Sequence, residues 1–167
     1  SCTMLKSDFL MQRIAELASS VARMLGLKHA QQQAQEDGAL NEASLSQLGL
    51  PLSLLVQLSP RDLHLRCCSM GEVDAYRAAT VGALLSAAAV GYPERAQELH
   101  ARSLDLLLLA MQENSELDIS ELRNLATLNI DALGGDLPPA LRERAARLTQ
   151  RSTEMNPGMP SWPLLPN

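Results

Sequence analysis

A chain of 167 residues is long enough for one hydrophobic core and too short for two large domains. Its apolar fraction of 46% is ordinary, but Leu and Ala dominate it, Ile and Val are sparse and aromatics make up 2%, a choice that suits helices over sheets. A net charge of −5 argues against a general nucleic-acid binder, three cysteines are too few for a disulfide scaffold, and no apolar run approaches the roughly 18 residues of a membrane span. With no charged-then-apolar leader, the chain is expected to be cytoplasmic. The residues before Met4, Cys2 among them, read as a non-native remnant.

The first predicted element is an amphipathic helix in "KSDFLMQRIAELASSVARMLGL". Ser7 or Asp8 is its expected N-cap, and Leu10, Ile14, Leu17, Val21 and Met24 form the stripe at alternating steps of four and three. Gly26 and Leu27 fit a C-terminal cap. A second helix is expected in "HAQQQAQEDGALNEASLSQLGLP", weakened by Gly38 and Asn41, with Gln31–Gln33 on a solvated face and the "LGLP" close as a stop. "PLSLLVQL" reads as a short helical turn. "SPRDLHLRCC" reads as a helix with Ser59 as N-cap, Pro60 at its first position and Asp62 favoured near its N-terminus.

On that helix His64, Cys67 and Cys68 stand at i, i+3 and i+4, within reach of one soft metal ion. A structural zinc site needs four ligands, commonly in two spaced pairs, and no second pair exists, since His29 and His100 are isolated. Buried inert thiols are the commoner use of such cysteines. No metal and no cofactor is therefore expected. No phosphate loop, nucleophile constellation or paired-carboxylate motif argues for an enzyme.

Glu72 to Val90 is expected to be one helix whose alanines, Ala75, Ala78, Ala79, Ala83 and Ala87 to Ala89, let another helix come close. Gly91-Tyr92-Pro93 ends it and starts the next, and so short a turn dictates an antiparallel hairpin. In that next helix Arg102 and Asp105 precede the leucines 106–109, which rules out a membrane span and predicts a helix buried on several sides. Two more helices are expected in "SELDISELRNLATLNIDALGG" and "PPALRERAARLTQRSTEM". Their stripes are Leu122, Leu125 or Ala126, Asn129 and Leu133, then Leu141, Ala145 and Leu148. Arg142, Arg144, Arg147 and Arg151 make the last helix basic, a face expected to pair with acidic neighbours. The domain is expected to span 1–155. Residues 156–167 form a tail with prolines at 157, 160, 163 and 166, the period of a polyproline II helix.

Gly91, Ala96, Leu104 and Leu106 resemble the second half of a tetratricopeptide unit, although the first half (Thr80, Ala83, Leu84, Ala87) fits poorly and His100 stands where an aromatic is usual. Over most of its length, to about residue 150, the chain resembles a bacterial family of small all-helical, tetratricopeptide-like proteins without an assigned activity. The likeness rests on "MLKSDFLMQRIAELASSVARMLGL", "LGLPLSLLVQLSPRDL", the Ala78–Ala89 helix, the hairpin and "LPPALRERAARL", in that order. It implies six to seven helices stacked as antiparallel hairpins in a right-handed superhelical array. The tail departs from it.

The expected function is a non-enzymatic protein-interaction or scaffold module that holds a protein or peptide in a helical groove. Trp162, Leu164, Leu165 and Tyr92 are its interaction candidates, with Trp162 and a neighbouring leucine expected to bury against this chain or a second copy. Homodimerisation through the first helix is expected because Phe9, Leu10 and Met11 crowd more than one face. The alternative is a redox or metal sensor using His64, Cys67 and Cys68.

Overall fold

The computed structural model describes the chain path of residues 2–25 and 30–155, and side chains for 8–25 and 38–151. Among the described residues there are eight α-helices and one two-stranded hairpin, so the all-α expectation holds and the helix count exceeds it slightly.

Helix α1, Cys2–Leu25, runs through Ser7 and Asp8, so neither is its cap. Its stripe buries Ile14, Leu17, Val21 and Met24 as the spacing predicts, while Leu10 at its start is only half-buried and Ala18 joins the buried face. The cap proposed at Gly26 and Leu27 lies outside the described residues. Helix α2, Ala30–Leu48, also runs through its two weak points, Gly38 and Asn41. It stops at Gly49, whose φ of +74° glycine adopts without the Cβ clash that other residues meet. The Asn41 side-chain oxygen accepts from the Leu52 N–H at 2.9 Å, and the Ser44 hydroxyl donates to the Leu50 carbonyl at 2.7 Å. These two bonds fold the "LGLP" segment back onto α2 and start the single-turn helix α3, Leu52–Leu55.

Helix α4, Pro60–Arg66, begins as its residues dictate. Ser59 Oγ accepts from the Asp62 N–H at 3.1 Å, Pro60 fills the first helical position and Asp62 lies in the first turn. It then ends earlier than expected. Cys67 is its C-cap, and Cys68–Ser69 (β1) pairs antiparallel with Glu72–Val73 (β2), Cys68 opposite Val73. Met70 and Gly71 form the tip with φ of +56° and +81°. Two successive positive φ values are what a two-residue hairpin turn requires. The helix expected from Glu72 therefore starts at Ala75, where Asp74 Oδ1 accepts from the N–H groups of Tyr76 (3.0 Å) and Arg77 (3.3 Å).

Helices α5 (Ala75–Gly91) and α6 (Ala96–Glu113) are the expected antiparallel hairpin, joined through a 3₁₀ turn at Pro93–Arg95. Nearly all of α5 is buried, and its alanines admit neighbours on every side. Among the described glycines, only Gly82 meets another helix closely. A Cβ there would lie 3.0 Å from Leu107 Cγ and 3.2 Å from the Ser103 carbonyl oxygen. Gly91 lies at the turn, as expected, and not at the crossing. Space around Gly91 is open, it is the last residue of α5 rather than a left-handed cap, and Ala96 is only half-buried.

After a 3₁₀ turn at Ser115–Leu117, capped by Asn114, helix α7 (Ser120–Leu133) returns along α6. Gly134, at φ +54°, turns the chain into α8, Pro139–Met155. Helices α5 and α7 each pack against both α1 and α6, giving a four-helix core with α1 and α6 at opposite corners. Helix α8 lies on the outer face of α6 and runs parallel to it, since Arg144 reaches Asp105 and Arg151 reaches the Met111 carbonyl. Helix α6 thus touches α5, α7 and α8. Leu106, Leu107 and Leu108 are buried and Leu109 half-buried, as a leucine run circling a central helix requires.

Candidate functional site

One face of α6 carries Glu98, Arg102, Asp105 and Leu109 at steps of four, three and four, a charged stripe that closes on a leucine and is continued backward by Arg95, the residue just before the helix. It points away from the four-helix core, toward α3, α4 and α8. Arg95 Nη1 donates to the Val56 carbonyl at 2.6 Å and Arg102 Nη1 to the Leu58 carbonyl at 2.9 Å. The two guanidiniums thereby hold carbonyl oxygens just past α3, where the helix leaves acceptors without intrahelical partners. Glu98 lies between them, hydrogen-bonded to Arg95 at 3.3 Å and paired with Arg102. The Arg95 hydrogen bonds hold the Glu98 carboxyl below the usual Glu range, and the Arg102 charge adds to the effect.

Further along, Arg144 of α8 pairs with Asp105 and donates to the Asp105 carbonyl at 3.2 Å and to Gln112 Oε1 at 3.3 Å. Between these two clamps α4, α6 and α8 leave a groove of about 280 Å³. Pro60, Leu63, Leu106 and Leu109 supply its apolar lining, and His64, Arg102, Asp105 and Arg144 its polar rim. Both arginines on the rim already hold a carboxylate, so the rim carries no unbalanced pair. Such a surface accepts apolar, uncharged chain more readily than a charged ligand, which would have to displace an existing partner.

The structure separates the predicted His64, Cys67 and Cys68 cluster. Because α4 ends at Arg66, the helical face that the spacing implied does not form. His64 is exposed at the rim of the groove, Cys67 is fully buried, and Cys68 is half-buried with its Sγ donating to the His64 carbonyl at 3.3 Å. Burial pushes the Cys67 thiol up to about 12, and the charges of Cys68, Asp105 and Asp74 reinforce the shift. At neutral pH it is an uncharged apolar filler. Among the described residues no three His, Cys, Asp or Glu side chains are placed to share a metal ion.

His100 sits in the α5–α6–α7 junction. Its Nδ1 lies 2.8 Å from Asn129 Oδ1, which also accepts from the Ser86 hydroxyl at 2.6 Å. Asn129 Nδ2 donates to Ser103 Oγ at 3.0 Å, and that hydroxyl donates to the Gly82 carbonyl at 2.6 Å. All four side chains are buried, which explains an asparagine within an apolar stripe. Tyr92 is half-buried against the core at the α5–α6 turn. Trp162, Leu164, Leu165 and His29 lie outside the described residues.

Of the basic residues of α8, Arg144 finds the acidic neighbour that was expected on another helix, Asp105, while Arg151 takes a backbone carbonyl, that of Met111 at 3.0 Å. Arg147 faces Glu143 in solvent at 3.9 Å, and Arg142 has a buried Nε without a hydrogen-bond partner among the described residues. Sequence reasoning missed two features. One is the α6 stripe, readable as alternating charge at helical spacing. The other is the forked pair of Arg123 with Asp118, only 10% and 12% exposed, for which the sequence carries no comparable signal.

Comparison with known proteins returns no match, whether to a family model, a curated protein or a solved structure. Among the described residues no helix is long and apolar enough to cross a membrane.

Proposed function

We propose that this protein is a non-enzymatic protein-interaction module whose α4–α6–α8 groove holds an extended segment of polypeptide. One observation carries the reading: an apolar groove on a central, well-packed helix, framed by charges that are already paired with one another. Peptide grooves gain affinity from apolar side chains seated on a preorganised wall, and this wall is held by α6, which is packed on three sides. The antiparallel α5–α6 pair agrees with a tetratricopeptide-like hairpin, in line with the resemblance of the sequence, whereas the packing of α1 on both α5 and α7 is that of a bundle and not of a sequential stack. The cysteine-sensor alternative has less support, because the Cys67 thiol is fully buried and uncharged at neutral pH.

Selection from a random twelve-residue peptide library, on the full chain and on its Trp162→Ala variant, tests the reading. Peptides that bind and are lost on Leu109→Glu, yet kept on Leu54→Glu outside the groove, support it. Recovery of no such peptides would overturn it.

The proposal also includes a homodimer formed through α1. Phe9 is 59% exposed, with the Arg13 guanidinium 5.5 Å from its ring centre. Sedimentation equilibrium should show a dimer that Phe9→Ser weakens. A monomer at high concentration would count against it.

A further inference from the structure

We propose that the cleft between α1, the end of α2 and the start of α5 binds a small organic monocarboxylate, with its carboxylate held between Arg13 and Arg77 and its apolar body laid on Leu10, Ile14 and Leu48. This cleft shares no residue with the α4–α6–α8 groove, and the proposal goes beyond the reading of that groove.

Shape is the first argument. Helix α2 ends at Leu48 and the chain turns off at Gly49, so its last turn leaves a space of about 350 Å³ against α1 and α5. That volume falls at the small end of the range of roughly 300–1,000 Å³ for small-molecule sites. Ile14 is buried, whereas Leu10 and Leu48 are half-buried. A ligand's methylene groups would cover the apolar area that these two leucines still expose.

Charge is the second. The lining sets two guanidiniums, Arg13 and Arg77, against a single carboxylate, Asp74. Asp74 Oδ1 is committed to the cap of α5, and its Oδ2 meets Arg77 only loosely, 3.8 Å from Nε. Among the described residues no carboxylate pairs with Arg13. Its guanidinium lies 5.5 Å from the Phe9 ring centre, a contact that steadies the charge without neutralising it. One negative charge balances the cleft. A phosphate monoester, close to −2 at neutral pH, would leave excess negative charge beside Asp74.

Hydrogen-bond donors are the third. The Thr80 hydroxyl donates to the Tyr76 carbonyl at 2.9 Å and the Ser46 hydroxyl to the Ala43 carbonyl at 3.2 Å, so both are spent. What remains on the lining is the two guanidiniums, the Tyr76 hydroxyl and the Gln47 amide. None of these has a hydrogen-bond partner among the described residues. All can donate, and a guanidinium fork matches the two oxygens of a planar carboxylate. Both arginines are exposed, so each contact alone is screened and the affinity is modest.

Octanoate, one carboxylate on a flexible apolar body, is the probe. Titrated calorimetrically into the full chain it should bind with a Kd of about 1 mM or below. Octanamide, of the same shape but uncharged, should bind about ten-fold more weakly or worse. Arg13→Gln and Arg77→Gln should each weaken octanoate by roughly five- to ten-fold and leave octanamide unchanged, a pattern that loss of folding does not produce. Arg147→Gln, on the far helix α8, should alter neither. On titration the methyl resonances of Leu10, Ile14 and Leu48 should shift. No binding of octanoate, equal binding of octanamide, or arginine variants that bind like the unaltered chain would each overturn the proposal. Shifts confined to Leu63, Leu106 and Leu109 would place the probe in the other groove and overturn it too. Octyl phosphate binding more tightly than octanoate would assign the cleft to a phosphate monoester and overturn the monocarboxylate.

Discussion

Gly82 and Asn129 show how much of this fold depends on single positions. At Gly82 alanine would gain about 1 kcal/mol in helix propensity, yet its Cβ would press on Leu107, which is fully buried, and on the immovable Ser103 carbonyl. Gly82→Ala is expected to destabilise the protein by about 1–2 kcal/mol net, seen as a lower urea midpoint at unchanged slope. Asn129→Leu removes the acceptor of Ser86 and His100 and the donor to Ser103, and should cost about 3 kcal/mol by the same measurement. At Cys67 the folded thiol binds its proton more tightly than the unfolded one. Its contribution is therefore complete below pH ~9 and lost as pH rises toward about 12. Native protein at pH 8 should leave Cys67 unmodified by a maleimide until it is unfolded, and rapid native labelling would contradict the burial. Little of this residue scale was legible beforehand. A buried asparagine and a buried leucine occupy the same stripe position, and which glycine sits at a crossing depends on a partner helix that local spacing does not identify.

Elements were far more legible. Periodicity located α1, α6, α7 and α8, because burial of one face follows directly from the 3.6-residue turn. Ser59 and Pro60 marked the start of α4 correctly, and Ser59→Ala should cost about 1 kcal/mol of stability through loss of the cap. The far end of α4 was misread because "HLRCCSMGEVD" has no proline to stop a helix. The stop comes from Gly71 and the positive φ of Met70, which make a hairpin. The start of α1 failed for a related reason: Ser7 and Asp8 are good cap residues at a place where the helix continues, whereas Gly91 closed α5 within one residue of the expected end. Helix α8 is held on α6 by Arg144 and Arg151, whose role as clamps could not be separated from that of a free basic face. Asp105→Ala should loosen α8, and amide exchange should quicken there well before it does in α5.

At the scale of the molecule, composition alone announced an all-helical chain, since leucine and alanine without β-branched or aromatic partners build no sheet core. The arrangement of α1 and α6 at opposite corners, with α5 and α7 between them, was not legible, because it depends on contacts between helices more than fifty residues apart. The groove was equally hidden, although the α6 charges that frame it could be found by spacing. Acid should weaken that frame. The Glu98 pairing with Arg95 and Arg102 is complete above the ordinary Glu range and lost as pH falls through its lowered value, so the Leu52–Leu58 segment should become protease-sensitive in acid before the core unfolds.

The Ser86–Asn129–Ser103 junction has a consequence for the order of the whole bundle. Helices faced with leucine and alanine can slide past one another by a turn and bury nearly the same apolar area. Sliding α7 by one turn would carry Asn129 from two hydroxyls and a ring nitrogen into hydrocarbon. The junction acts as a vernier: it singles out one alignment of α5, α6 and α7 among several of similar oiliness.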